Sequence, residues 1–156
     1  MFRKMRRIDR EIDQDKSMKI LEEGNYGIFS TISEDGYPYG VPISYALLDG
    51  NLYFHSAKKG HKLDNIENDN KISFCVVGQT EILPSEFATN YESVIIFGKA
   101  TKIEGEEKIK VLMEIINKYS KDFKVEGKAY IEKDKNLTTI IKISIEHMSG
   151  KARMTD

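Results

Sequence analysis

A single cysteine, Cys75, stands in the whole chain. That excludes an internal disulfide and any cysteine-rich zinc site. No charge of one sign dominates, because 24 basic residues face 25 acidic ones for a formal net charge of -1. A global field that would gather nucleic acid is therefore absent, and any anion site must be a local cluster. No apolar stretch is long enough to cross a membrane. The basic start Met1–Arg7 is not followed by an apolar signal core, so a cytoplasmic location is the default expectation. The chain has no Gly-x-Gly-x-x-Gly fingerprint and no Gly-x-Ser-x-Gly elbow, so neither a Rossmann nucleotide site nor a serine-hydrolase triad is expected. Histidine is scarce. His55 and His61 straddle a loop with no carboxylate at ligand spacing, so no metal site is expected.

What is present is ordinary globular material. The chain has 156 residues, of which 40% are hydrophobic and 31% charged. That suits one domain over residues 1–156 with a substantial core, without repeats, linkers or low-complexity tracts. A helix is predicted over Gln14–Glu23, stopped by Gly24. Strands follow at Tyr26–Ser33, Pro38–Leu48 and Asn51–His55, joined by the turn signals Asp35-Gly36 and Asp49-Gly50. A short helix is expected over Lys62–Asn68 and a buried strand over Lys71–Val77, with Cys75 an inert core thiol rather than a nucleophile. Thr80–Tyr91 is polar, contains Pro84 and reads as a long surface loop. A strand over Ser93–Ile103 precedes an amphipathic helix over Glu106–Lys118, whose stripe is Ile109, Leu112, Met113 and Ile116. Asp122–Asn136 reads as polar and partly helical, and Thr138–Met148 as the last strand. Tight hairpins imply antiparallel pairing. About six strands with two or three helices make a small, mainly β barrel with helices packed outside.

The chemistry concentrates at Tyr53-Phe54-His55-Ser56-Ala57-Lys58-Lys59-Gly60-His61-Lys62. An apolar strand runs there into small residues, bases and a glycine, and then into a helix. Free backbone N–H groups and cations converge at such a junction, which can hold a phosphate. The same lysines could equally form the solvated start of a helix. His55 is either a rim residue held by hydrogen bonds or a proton donor, since imidazole titrates near neutral pH.

Four segments, taken in order, resemble the FMN-binding split-barrel proteins related to pyridoxamine 5'-phosphate oxidase, and within them the nitroimidazole-resistance branch. They are Asp35–Tyr45, Tyr53–Lys62, Ser93–Ala100 and Ser149–Lys151. The resemblance implies a six-stranded antiparallel split barrel that binds FMN at the interface of a homodimer. Val41, Pro42, Ile43 and Ser44 would run along the flavin ring. Phe54, His55 and Ser56 would follow the ring and ribityl chain. Lys58, Lys59, His61 and Lys62 would take the phosphate. Ser93 and Val94 would contact the cofactor from the other subunit.

The resemblance further implies a flavin-dependent oxidoreductase acting on a small electron-poor molecule such as a nitroimidazole, with NAD(P)H or another donor and with His55 as the catalytic proton source. The oxidase's own pocket uses a tryptophan and C-terminal arginines. This chain has no tryptophan and ends Lys151-Ala152-Arg153-Met154-Thr155-Asp156, which argues against pyridoxamine phosphate as substrate. The alternatives are a flavin- or haem-binding protein without turnover and an oxidase-like enzyme.

Overall fold

A computed structural model describes residues 1–154. A short turn and the two-residue strand β1 (Glu11–Ile12) lead into helix α1 (Gln14–Glu23). The Asp13 side chain caps that helix by accepting from the Lys16 backbone N–H at 2.8 Å, as an acidic N-cap should. Four strands follow: β2 (Gly27–Ile32), β3 (Pro38–Ile43), β4 (Ala46–Leu48) and β5 (Asn51–Ser56). Helix α2 (His61–Asn68) leads into the long strands β6 (Lys71–Leu83) and β7 (Ala88–Ile103). Helices α3 (Gly105–Tyr119) and α4 (Lys124–Asp134) precede β8 (Thr139–Arg153).

The strands form one antiparallel sheet in the order β3-β2-β6-β7-β8-β5-β4, with β1 added to β8. About six strands are expected from sequence and eight are found among the described residues, because two are short. β3 and β4 sit at opposite ends of this order, yet only Ser44 and Tyr45 join them. Two residues span at most about 11 Å between Ile43 and Ala46. The sheet must therefore curl until its two edges nearly meet, which makes a barrel split between β3 and β4. Phe29, Phe54, Phe74, Val76, Val94, Ile96, Ile141 and Ile143 fill the interior.

Three sequence expectations need correcting. Pro38–Leu48 is not one strand. Tyr45 turns its ring into the core, fully buried, and its hydroxyl donates to the Leu21 carbonyl at 2.6 Å. That anchor breaks the strand and sends the chain to the far sheet edge. Thr80–Tyr91 is not a loop but the end of the β6–β7 hairpin, with Thr80↔Tyr91 through Leu83↔Ala88 in register. Most of that ribbon meets solvent, and its one buried residue, Asn90, is polar, so its sequence carries no apolar alternation. In α3 the sheet-facing residues centre on Val111, which packs with Tyr53 and Ile140 and gathers Leu112 and Ile115 beside it. Ile116 instead faces α4, where a Cβ on Gly127 would come within 2.7 Å of it. Two apolar faces on one helix blur a single-stripe reading.

Cys75 lies on the outer face of β6 and is half-buried, not in the core. Burial still pushes its thiol pKa up, so little thiolate forms.

Lys118, near the end of α3, has no hydrogen-bond partner among the described residues for its buried Nζ, which lies 3.9 Å from the centre of the Tyr45 ring. Burial lowers its pKa to about 8. Its folded pKa is thus below its unfolded one, so the unfolded chain binds more protons between about pH 8 and the ordinary lysine range. The amine destabilises the fold fully below pH 8, and the penalty fades as pH rises through that window. Lys118→Met should raise stability by about 1 kcal/mol at neutral pH, a figure reduced for partial solvation and for the lost cation–π contact. The gain should shrink toward pH 10 in urea titrations; a constant gain would place the amine in solvent.

Candidate functional site

The split between β3 and β5 is the natural site. β4 pairs only with residues 51–53 of β5, so Phe54, His55 and Ser56 have an open edge. β3 is likewise an edge strand, bonded only to β2. Two contacts tie β3 to its surroundings at its two ends. At one end the Ser44–Tyr45 crossover ties β3 to β4. At the other, the Tyr39 ring of β3 lies on the His61 ring, with centroids 4.1 Å apart. Along both edges backbone N–H and C=O groups have no strand partner in the sheet, the edge chemistry that a planar, polar-rimmed molecule can use.

Val41, Pro42, Ile43 and Ser44 thus line one wall. Val41 and Ile43 pack inward on the core, while Pro42 and Ser44 are exposed. Phe54 alternates with His55, so its ring is fully buried against Phe29 at 4.9 Å while His55 points to the outer face. Desolvation first, and then the Lys62 charge, lowers the His55 pKa. That shift favours the neutral imidazole.

Ser56 ends the strand and is only 7% exposed, and its Oγ has no hydrogen-bond partner among the described residues. A buried hydroxyl left unpaired costs about 1–3 kcal/mol, and this one stands where the strand gives way to the lysine loop.

Beyond Ser56 the loop carries Lys58 and Lys59, both exposed, and then Gly60 at φ 147°, ψ 160°. Only glycine adopts that backbone readily. Gly60 stands at the N-cap of α2, and no side chain caps that helix. Its carbonyl accepts from the Leu63 and Asp64 N–H groups at 2.8 and 3.1 Å. The N–H groups of His61 and Lys62 have no intrahelical acceptor, as in any first turn. None of Lys58, Lys59 and Lys62 forms an ion pair among the described residues. An orphaned hydroxyl, an uncapped helix start and three unpaired ammonium groups together fit a phosphate.

His61 behaves differently from the lysines. Its Nε2 shares a 2.8 Å hydrogen bond with Ser33 Oγ, and its ring lines a hollow that also carries Glu34, Asp35 and Asp64. The ring is thereby committed to β2, and only its backbone N–H is free for an anion. Sequence reasoning missed what holds α2 here. Buried Asn65 donates to Thr31 Oγ1 at 2.9 Å and to Ser33 Oγ at 3.3 Å, so the helix start is pinned to β2. No local spacing signals a pair formed across the fold.

Ser93 and Val94 do not join this group within one chain. β5 meets β8 at His55↔Ile140, whereas Val94 meets it at Gly150. The strand from Ile140 to Gly150 is about 33 Å long. Val94 is fully buried, so only its backbone could touch a ligand, while Ser93 lies on the outer face. The segment Ser149–Lys151 is no open tail, since β8 continues to Arg153 between β1 and β7.

The same architecture recurs in solved proteins. A candidate 5-nitroimidazole antibiotic resistance protein from Bacteroides thetaiotaomicron superposes with a TM-score of 0.75 at 22% identity, over 91% of this chain and 86% of that one. An FAD- and haem-binding protein from Mycobacterium smegmatis gives 0.82 at 16% identity, over 94% and 74%. An FAD-binding protein from Mesorhizobium loti gives 0.63 at 22%, over 93% and 98%. At these identities the likeness is one of fold. Comparison with curated protein sequences returns no match. No helix among the described residues is long and apolar enough to cross a membrane. The family model described as pyridoxamine 5'-phosphate oxidase matches residues 13–152, from the cap of α1 to the end of β8, and this protein belongs to that family.

Proposed function

We propose that this protein is an FMN-dependent oxidoreductase that reduces a small electron-poor molecule, such as a nitroimidazole or another nitroaromatic, with NAD(P)H as a donor. The observation that carries the reading is the buried Ser56 hydroxyl without a partner, set beside an uncapped helix start and three unpaired lysines. In this reading Ser56, Lys58, Lys62 and the first N–H groups of α2 hold the phosphate, with Lys59 at the rim. The edge of β3 from Val41 to Ser44 and the open edge at Phe54 and His55 hold the ring. FMN, when bound, supplies the hydride chemistry. Ser93 and the Val94 backbone reach the site from a second copy of the chain, so the functional unit is a homodimer.

His55 is the candidate proton source. Burial first, and then the Lys62 charge, hold its pKa below the ordinary value, which favours the neutral ring, a poor acid. A phosphate beside Lys62 offsets the smaller, charge-derived part of that shift and leaves the part due to burial in place. For His55→Ala the expected result is retained flavin with slower acceptor reduction, by roughly ten- to a hundredfold. Stopped-flow reoxidation measures it, and unchanged rates would leave His55 without a role in turnover.

Ser56→Ala separates binding from folding. Removing an unpaired buried hydroxyl should leave the flavin-free protein as stable or slightly more stable, while FMN affinity falls roughly tenfold. Thermal melts with and without FMN measure both, and a large loss of stability without FMN would show that the hydroxyl serves the fold.

A further inference from the structure

Away from the lysine junction, α1, β4 and the last turn of α3 meet around a hollow of about 350 Å³. It is lined by Glu22, Ala46, Leu47, Glu114, Asn117 and Lys118. Small-molecule sites start near this volume. Glu22 comes from α1, Ala46 and Leu47 from β4, and the other three from α3. None of the six is assigned to the flavin.

Two lysine amines of α3 are withdrawn from solvent, and their surroundings differ. Lys108 is 6% exposed, and its Nζ reaches Glu104 at 3.2 Å. Lys118 has Glu114 one turn behind it on the same helix face, the spacing that favours an ion pair. It forms none among the described residues, and its buried Nζ has no hydrogen-bond acceptor there. Glu114 accepts instead from Asn117 Nδ2 at 3.3 Å. The Lys118 amine lies over two rings, 3.9 Å from the centre of Tyr45 and 5.4 Å from that of Tyr119.

A dry, unpaired lysine is a nucleophile, because its lone pair is not held by a proton. With the pKa lowered to about 8 by burial, about a tenth of the Lys118 amine is neutral at pH 7. An ordinary lysine is neutral to roughly a few parts in ten thousand. The side chain lines the hollow, and its flexible stem lets the amine turn to a molecule seated there. Ala46 and Leu47 give that molecule apolar contact. The carboxylates of Glu22 and Glu114 can pass protons, and they repel an anionic ligand. A neutral aldehyde suits all three.

We propose that Lys118 is a covalent site for small uncharged aldehydes, which it holds as a Schiff base in the hollow between α1, β4 and α3. The Nζ lone pair attacks the carbonyl carbon. The two amine hydrogens leave with the carbonyl oxygen as water, relayed by a carboxylate of the hollow, and a C=N bond replaces the C=O bond. No oxidant or reductant is consumed.

The test treats the full-length protein at pH 7 with benzaldehyde and cyanoborohydride, which reduces a Schiff base to a stable secondary amine. Peptide mass spectrometry then locates the benzyl mark. Lys118 should be marked at least roughly tenfold faster than the exposed Lys58 and Lys59, and than Lys108, whose amine is paired. That advantage should shrink toward pH 10, where ordinary lysines also lose their protons. It should vanish in urea. In Lys118→Met, which the fold tolerates, the fast equivalent should disappear from the intact mass. With 4-carboxybenzaldehyde, the same ring with a negative charge, the advantage over Lys58 should fall severalfold, and Glu22→Gln/Glu114→Gln should restore it. Marking of Lys118 no faster than that of Lys58 would overturn the proposal. So would a preference that persists in urea, a fast equivalent that survives Lys118→Met, or an anionic aldehyde that marks Lys118 as readily as the neutral one.

Discussion

Replacing Lys58 and Lys62 together with alanine should weaken FMN binding roughly a hundredfold while changing riboflavin affinity less than about threefold. The two ligands share the ring and ribityl chain, and only FMN has the phosphate. Each ammonium lost from a phosphate removes a charged hydrogen bond worth about 1.5–3 kcal/mol. Lys58 is exposed and Lys62 half-buried, so the lower figure applies to both. Two such losses give about 3 kcal/mol, or roughly two powers of ten. The same logic fixes the salt dependence: FMN affinity should fall with ionic strength in the native protein and much less in the double variant. The fold should not suffer, because neither lysine has an ion pair among the described residues to lose. Equal losses for FMN and riboflavin would remove the lysines from the phosphate site.

Phe54→Ala should lower the stability of the protein by about 3–5 kcal/mol, the cost of emptying a phenyl-sized volume in a packed interior. The ring is fully buried, lies 4.9 Å from Phe29 and belongs to the main core cluster. It sits one residue from His55 and two from Ser56, so it fixes where the strand delivers both. For a chain of this size the loss corresponds to a fall in Tm of roughly 10–15 °C. It is also a large part of a typical domain's whole stability. Thermal unfolding of the flavin-free protein measures it, with the outward-facing His55→Ala as the near-neutral reference. A fall within about 1 kcal/mol would mean that the interior closes over the gap or that Phe54 is not in it.

Local signals made the strand-loop-helix junction legible in the sequence. Strand alternation ends at Ser56, bases and a glycine follow, and a helical period begins, all within one short segment. The structure adds what no local pattern carries: Ser56 Oγ is orphaned, Gly60 stands at φ 147° and the helix start is uncapped. The Asp49-Gly50 turn was equally readable, since both residues adopt positive φ, as a two-residue hairpin requires. Pairings made across the fold stayed hidden. Tyr45 leaves its strand for the Leu21 carbonyl far along the chain, and nothing beside Tyr45 announces that. The Ser33–His61–Asn65 network is of the same kind.

The reading of the split as a flavin site is tested most directly by the protein as purified. Its visible spectrum should carry flavin absorption, and denaturation should release a yellow compound that migrates as FMN. Added FMN should raise the unfolding temperature of any flavin-free fraction more than riboflavin does. A colourless protein whose unfolding temperature FMN leaves unmoved would contradict the account.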